Sequence, residues 1–254
     1  MFSAIRGVWG RGRDEVLDAL LPQTCLVCEN PHDDPPPLCE ACQLKLDELT
    51  QAERCGRCGM PVPDPEQPCG WCRGAGVRPF EQIVRLTTYD EPVTTIVRQL
   101  KFGGRWQAGA MLARRLRAQP EAMALLEQAD IVVPVPLHVR RHWWRGYNQA
   151  EVIARALARS KCRRALVRIK ATDAQSLQDS RRSRSQNLRD AFVMPNPKLV
   201  RDLHVLLVDD VMTTGATLRS AARALRLGRP RRLSAIVLAV ADPHGRSFMD
   251  LDPF

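Results

Sequence analysis

Eight of the nine cysteines form four Cys-x-x-Cys pairs near the start of the chain. The last two pairs repeat the spacing of the first two, 30 residues further along. Two thiolates three residues apart can reach one ion from a tight turn, and two such turns complete a tetrahedral shell around Zn²⁺. The repeat favours pairing in sequence order and therefore predicts two structural zinc sites. The predicted ligands are Cys25, Cys28, Cys39 and Cys42 for the first ion, and Cys55, Cys58, Cys69 and Cys72 for the second.

Other uses of these cysteines agree less well with the sequence. A disulfide framework requires an oxidising compartment, whereas residues 1–21 contain Asp14, Glu15 and Asp18 and lack the continuous apolar run of a secretory signal. Eight thiolates could also hold an iron–sulfur cluster, but the spacing is that of a zinc ribbon rather than a ferredoxin. His32 lies between the first two pairs and could replace one cysteine, although a surface position is the simpler interpretation.

Residues 205–218, VLLVDDVMTTGATL, combine acidic and phosphate-binding features. An apolar run leads into Asp209 and Asp210, and a loop of small residues precedes a predicted helix. Ligands of open α/β sheets bind at the carboxyl ends of strands, and the N–H groups of a helix N-terminus bind phosphate. Carboxylates accept hydrogen bonds from ribose hydroxyls and repel phosphate, so we expect the sugar beside the acids and the phosphate in the loop. The loop residues are Thr213, Thr214, Gly215, Ala216 and Thr217.

The elements predicted around this segment alternate between strands and helices. The predicted strands are 81–89, 130–135, 165–169, 204–208 and 233–241, and the predicted helices are 92–101, 105–118, 147–160 and 216–227. Near-continuous apolar strands are typical of a parallel sheet covered on both faces, which predicts an α/β fold. The predicted parts of the chain are an N-terminal helical segment at 1–21, a double zinc ribbon at 22–76 and the α/β domain at 77–254.

The segment 205–218 resembles the phosphoribosyl pyrophosphate signature of type I phosphoribosyltransferases; a generic strand–turn–helix with capping threonines is the alternative. A P-loop is excluded, because no GxxxxGK[ST] string occurs. By this resemblance, the two aspartates would hold the ribose 2′ and 3′ hydroxyls, and residues 213–217 would hold the 5′-phosphate. The pyrophosphate and Mg²⁺ would then lie near residues 136–149. That segment is either a solvated basic loop or a pyrophosphate site formed by Arg140, Arg141 and Arg145.

The string VPVP, followed by basic residues and RGYNQA, resembles the ComF family of competence proteins. Lys101 before Phe102-Gly103 also fits this family. A second matching stretch contains Thr172, Gln175, Arg181, Arg182, Arg184, Asn187-Leu188 and Ala191-Phe192. The resemblance covers nearly the whole chain and implies a phosphoribosyltransferase-type sheet behind a small zinc-ribbon domain. It also implies a cytosolic role in natural transformation, in the uptake and handling of single-stranded DNA.

A net charge of +10 is consistent with an anionic partner, although a genome that favours arginine codons would give the same excess. Two functional hypotheses follow. An enzyme would transfer the phosphoribosyl group to an unidentified acceptor, with residues 171–190 as a lid. A binding module would contact single-stranded DNA, with Trp71, Trp143 or Trp144 as stacking platforms. In the alternative interpretation, one of the adjacent Trp143 and Trp144 packs into the core.

The zinc ribbon could also dock a protein partner such as a DNA-uptake ATPase. The sequence contains no apolar run of about 18 residues, so we predict no membrane span. Together with the composition of residues 1–21, this predicts a cytoplasmic protein.

Overall fold

The computed structural model describes residues 24–32, 37–170 and 191–242. The predicted N-terminal helical segment 1–21 and the predicted lid 171–190 lie outside the described residues, as does the matching stretch from Thr172 to Leu188. The helices are α1 (Glu40–Gln51), α2 (Val93–Phe102), α3 (Trp106–Arg117), α4 (Pro120–Gln128), α5 (Val139–Arg145), α6 (Gln149–Ala158) and α7 (Ala216–Arg226). The strands are β1 (Ile83–Thr88), β2 (Ile131–Pro134), β3 (Val167–Arg168), β4 (Phe192–Val193), β5 (His204–Met212) and β6 (Arg232–Val240).

Four strands form one sheet in the order β1-β6-β5-β2, and every neighbouring pair is parallel. This confirms the predicted α/β fold with a parallel sheet. One face of the sheet packs against α2, α3, α4 and α6, and the other packs against α7. The central strands are apolar and almost completely buried, as expected for strands with helices on both sides. A separate antiparallel pair joins β3 to β4.

Strand β5 is longer than predicted. The sequence predicted its end at residue 208, but the strand continues to Met212, so Asp209 and Asp210 lie within it. The neighbouring strand β6 supplies the reason, because its backbone pairs with β5 as far as Met212 and Val240. The acid pair is therefore held by a sheet ladder rather than by a loop.

Three helices were absent from the prediction. Helix α1 begins directly after Cys39 and contains the predicted zinc ligand Cys42, and α4 begins at Pro120, a residue that suits the first helical turn. Helix α5 occupies part of the segment predicted as a basic loop. His138 Nδ1 accepts a hydrogen bond from the Arg140 N–H at its start, and Gly146 ends it with a φ of 79°. These short-range capping contacts make the segment helical.

The zinc ribbon covers the outer edge of the sheet. The Ile83 N–H in edge strand β1 donates to the Arg57 carbonyl oxygen over 3.0 Å, and the buried Arg85 side chain donates to the Gly59 carbonyl. Leu46 of α1 packs with residues of β1, α2 and α3 in one core cluster. An uncovered edge strand presents unpaired backbone groups, and here the ribbon pairs with the Ile83 N–H. The ribbon and the sheet thus share their core.

Candidate functional site

The eight paired cysteines form two groups of four in the predicted order. Within each group the sulfur atoms lie within 4.8 Å of one another, and three Sγ–Sγ separations are 3.6–3.8 Å. A tetrahedral Zn²⁺ site with bonds of about 2.3 Å has sulfur–sulfur edges of about 3.8 Å, so the geometry fits two structural zinc ions. His32 belongs to neither group. Cys162 also lies outside both groups.

A cleft of about 430 Å³ opens at the carboxyl edge of the parallel sheet. It brings together acidic and basic residues that are far apart in the sequence. Asp209 and Asp210 lie on its floor, on strand β5, and Thr217 contributes from the first turn of helix α7. Four cationic residues line the same cleft: Lys101, Arg141, Arg145 and Arg168.

The two acids differ in their surroundings. The Lys101 Nζ lies 2.9 Å from an Asp210 carboxylate oxygen. Burial alone would lower the pKa of Lys101, but the neighbouring Asp210 carboxylate raises it. Burial, followed by repulsion from Asp210, raises the pKa of Asp209 to about 8. At neutral pH the cleft therefore holds a lysine-paired carboxylate beside a carboxyl group that readily keeps its proton.

The predicted arginines separate into two groups. Arg141 and Arg145 of helix α5 line the cleft, whereas Arg140 of the same helix is exposed and is not among the lining residues. The predicted pyrophosphate contacts of all three arginines stay predictions. Arg168, which the sequence did not single out, reaches the cleft from strand β3, and burial lowers its pKa. A lone arginine in a two-residue strand carries no motif that could have identified it.

The loop between β5 and α7 turns at a glycine directly before the helix. Thr213 and Thr214 are exposed, and Gly215 has a φ of +70°, a conformation that favours glycine. Gly215 and Ala216 begin helix α7, whose N–H groups face the loop. Of the five predicted loop residues, only Thr217 lines the cleft itself. A phosphate role for all five stays a prediction.

Comparisons with known proteins agree with both parts of the structure. The double zinc ribbon domain family matches residues 16–73, and the phosphoribosyl transferase domain family matches residues 144–252. The DNA utilization protein YhgH of Salmonella typhimurium is 36% identical over 196 residues, which cover 74% of this chain and 83% of the relative. The chain belongs to the ComF family.

Two further ComF relatives match over similar lengths. Competence protein F of Haemophilus influenzae is 31% identical over 211 residues, covering 80% of this chain and 90% of the relative. Competence protein ComFC of Bacillus subtilis is 25% identical over 210 residues, which cover 79% of this chain and 83% of the relative. The family assignment made from RGYNQA and the cysteine pairs is confirmed.

The tryptophans of this ComF chain do not all lie where the sequence suggested. The expectation that Trp143 or Trp144 packs into the core is wrong, because their exposed fractions are 91% and 71%. Both lie on the short helix α5, none of whose residues is buried. Trp71 is half-buried and packs against the core cluster that includes the second zinc group. Its role as a stacking platform stays a prediction.

The raised pKa of Asp209 leads to a pH-dependent stability. A carboxyl group whose pKa is raised in the folded state stabilises the fold while it is protonated, and this contribution declines as pH rises from about 4 to about 8. Above pH 8 the folded state contains the ionised Asp209 carboxylate, and we take the cost of this buried charge as about 2 kcal/mol of the free energy of unfolding. We therefore expect Asp209→Asn to raise the Tm by about 4–8 °C above pH 8, and by much less near pH 5. Thermal unfolding from pH 5 to 9 tests this, with exposed Asp202→Asn as control. A Tm difference that is constant with pH would contradict it.

None of the helices within residues 24–32, 37–170 and 191–242 combines the length and apolar composition needed to cross a membrane.

Proposed function

We propose that this ComF chain acts in the cytoplasm, where it supports the uptake and handling of single-stranded DNA and binds phosphoribosyl pyrophosphate or a similar ligand. Relatives named for competence and for DNA utilization match about three quarters of the chain or more, which supports the DNA role. The observation that carries the ligand proposal is the cleft, where an acid pair and four cationic side chains face the same volume.

The cleft residues divide by the ligand groups that they suit. Asp209 and Asp210 would accept hydrogen bonds from the ribose hydroxyls, and the loop 213–217 would donate backbone N–H groups to the 5′-phosphate. The pyrophosphate would lie towards Arg141 and Arg145, whose guanidinium groups can form charge-assisted hydrogen bonds with its oxygens. Mg²⁺ would enter with the ligand and add positive charge at the pyrophosphate.

Calorimetric titration of phosphoribosyl pyrophosphate and Mg²⁺ into the zinc-loaded chain tests the ligand proposal. We expect binding to the wild type, binding at least 100-fold weaker for Asp209→Asn/Asp210→Asn, and unchanged binding for the exposed Asp202→Asn control. The double change removes the charge of the Asp210 carboxylate and leaves the ribose hydroxyls only the weaker amide oxygens as acceptors, and a hydrogen bond to a charged group is worth about 1.5–3 kcal/mol. Failure of the folded wild type to bind, or equal binding by the double variant, would refute the proposed ligand.

A second candidate is an active phosphoribosyltransferase. The guanidinium groups of Arg141, Arg145 and Arg168 along one cleft favour it, because they could stabilise the charge of departing pyrophosphate. Release of pyrophosphate in the presence of candidate nucleobases would support transfer. If ligand binds and no tested acceptor releases pyrophosphate, the binding role is favoured.

Direct DNA contact and a protein partner are separate parts of the proposal. The excess of basic residues predicts that the affinity for single-stranded DNA falls steeply with salt. For each phosphate that the protein contacts, the logarithm of the association constant should fall by about 0.7 when the salt concentration rises tenfold. A DNA-uptake ATPase stays the proposed protein partner of the zinc ribbon. Co-purification of the two proteins, compared with the ribbon variant Leu44→Glu at an exposed side chain, would test it.

A further inference from the structure

Two exposed aromatic side chains form one wall of the cleft. Phe102, the last residue of helix α2, is 61% exposed, and Trp144 of helix α5 is 71% exposed. Their ring centroids lie 6.1 Å apart with an interplanar angle of 59°, and both residues line the cleft. Large aromatic residues are normally buried, so an exposed pair inside a polar cleft indicates a surface for binding. We call this pair the aromatic wall.

Cationic groups flank the aromatic wall. The Arg145 guanidinium lies 5.1 Å from the centroid of the Phe102 ring, a cation–π distance. The Arg145 Nε is buried and has no hydrogen-bond partner among the described residues. Arg141 lines the cleft beside it. Aromatic faces on which bases stack, next to guanidinium groups that contact the backbone phosphates, are the features by which proteins bind single-stranded nucleic acid.

We infer that the aromatic wall stacks an unpaired base of single-stranded DNA, so that DNA and the phosphoribosyl ligand compete for one cleft. The inference rests on the proposed function and adds the position of the DNA site. A volume of about 430 Å³ lies near the lower end of small-molecule sites, and Arg141 and Arg145 serve the phosphates of either ligand. Simultaneous binding would require both ligands to use the same guanidinium groups.

The acid pair distinguishes the two ligands. A vicinal diol of ribose can donate to Asp209 and Asp210, whereas deoxyribose has no 2′-hydroxyl group and a DNA strand offers them only phosphate repulsion. Replacing both acids therefore has opposite consequences for the binding of the two ligands. Asp209→Asn/Asp210→Asn is expected to lose the phosphoribosyl ligand and to bind DNA as tightly as the wild type or more tightly.

The test is fluorescence anisotropy with a labelled oligothymidylate strand and the full zinc-loaded chain. Trp144→Ala is expected to weaken DNA binding about tenfold or more, the usual loss when one stacked base loses its aromatic partner. Trp106→Ala is the matched control, because Trp106 is 50% exposed and is not among the residues that line the cleft. Added phosphoribosyl pyrophosphate with Mg²⁺ should displace the DNA from the wild type.

The outcomes separate this inference from the proposed function. If both ligands bind and neither displaces the other, the shared cleft is wrong while the proposed function stands. If phosphoribosyl pyrophosphate fails to bind at all, the proposed ligand is wrong. Equal DNA affinity of Trp144→Ala and Trp106→Ala would refute the role of the aromatic wall, whatever the result for that ligand. DNA binding that falls with Trp144→Ala alone and is displaced by the ligand supports the inference.

Discussion

Replacing Cys58 with serine is expected to remove one of two zinc ions and to lower the free energy of unfolding of the whole chain by about 4 kcal/mol or more. Cys58 is 1% exposed, and its Sγ lies 3.8 Å from the Cys69 Sγ. Both residues belong to the core cluster that contains strand residues Ile83 and Val237. Loss of this ion therefore opens the core of the sheet as well as the ribbon.

Cys162→Ser provides the matched control for this substitution. Cys162 is half-buried and belongs to neither zinc group, so its replacement should leave two ions bound and should cost little stability. Native mass spectrometry counts the ions, and urea unfolding followed by circular dichroism measures the free energy. If Cys58→Ser retains two zinc ions and the stability of the control, the structural assignment of the second zinc site is wrong.

The zinc ribbons and the parallel sheet could be predicted because their signals are local. Four cysteines within 18 residues determine one metal site, and the apolar run before Asp209 identifies a buried strand. The thiolate spacing and the strand hydrophobicity each depend on nearby residues alone. The same is true of Gly215, whose position in a small-residue loop predicts a close backbone turn.

The cationic side of the cleft could not be predicted in the same way. Lys101, Arg145 and Arg168 come from three different elements, and only the tertiary fold places them around Asp210. In the sequence, Lys101 was noticed because it fits the family pattern, and Arg145 because it lies in a basic segment. No sequence pattern indicated that Arg168 would line the cleft. The extension of β5 through the acid pair likewise depends on β6, which lies more than 20 residues later in the chain.

Arg85 shows how the ribbon changes the environment of the edge strand. Every residue of β1 is buried, including Arg85, which has no exposed surface. In an isolated edge strand, alternating side chains would face solvent and an arginine could remain hydrated. Here the ribbon covers that face, and the arginine donates to its backbone carbonyls instead.

Arg85→Met is expected to lower the free energy of unfolding by about 2–4 kcal/mol, because it leaves the ribbon carbonyls that accept from the guanidinium without a donor. The Nε donates to the Gly59 carbonyl, and the Nη2 lies 3.2 Å from the Ala52 oxygen and 3.4 Å from the Glu53 oxygen. Burial, together with the nearby Arg54, lowers the pKa of Arg85 to about 10, so the side chain remains charged at pH 7. Methionine fills a similar volume and removes the guanidinium charge together with the donors.

Two measurements distinguish loss of this contact from loss of zinc. Arg85→Met should still bind two zinc ions, while hydrogen exchange at the Ile83 N–H, which pairs with Arg57 of the ribbon, should become faster as the ribbon detaches from β1. Arg98→Met, an exposed arginine of helix α2, is the matched control and should change neither property. Equal urea midpoints for the two variants would mean that Arg85 does not join the ribbon to the sheet. A lower midpoint with both ions retained would show that side-chain contacts at the edge strand join the two parts independently of the metal.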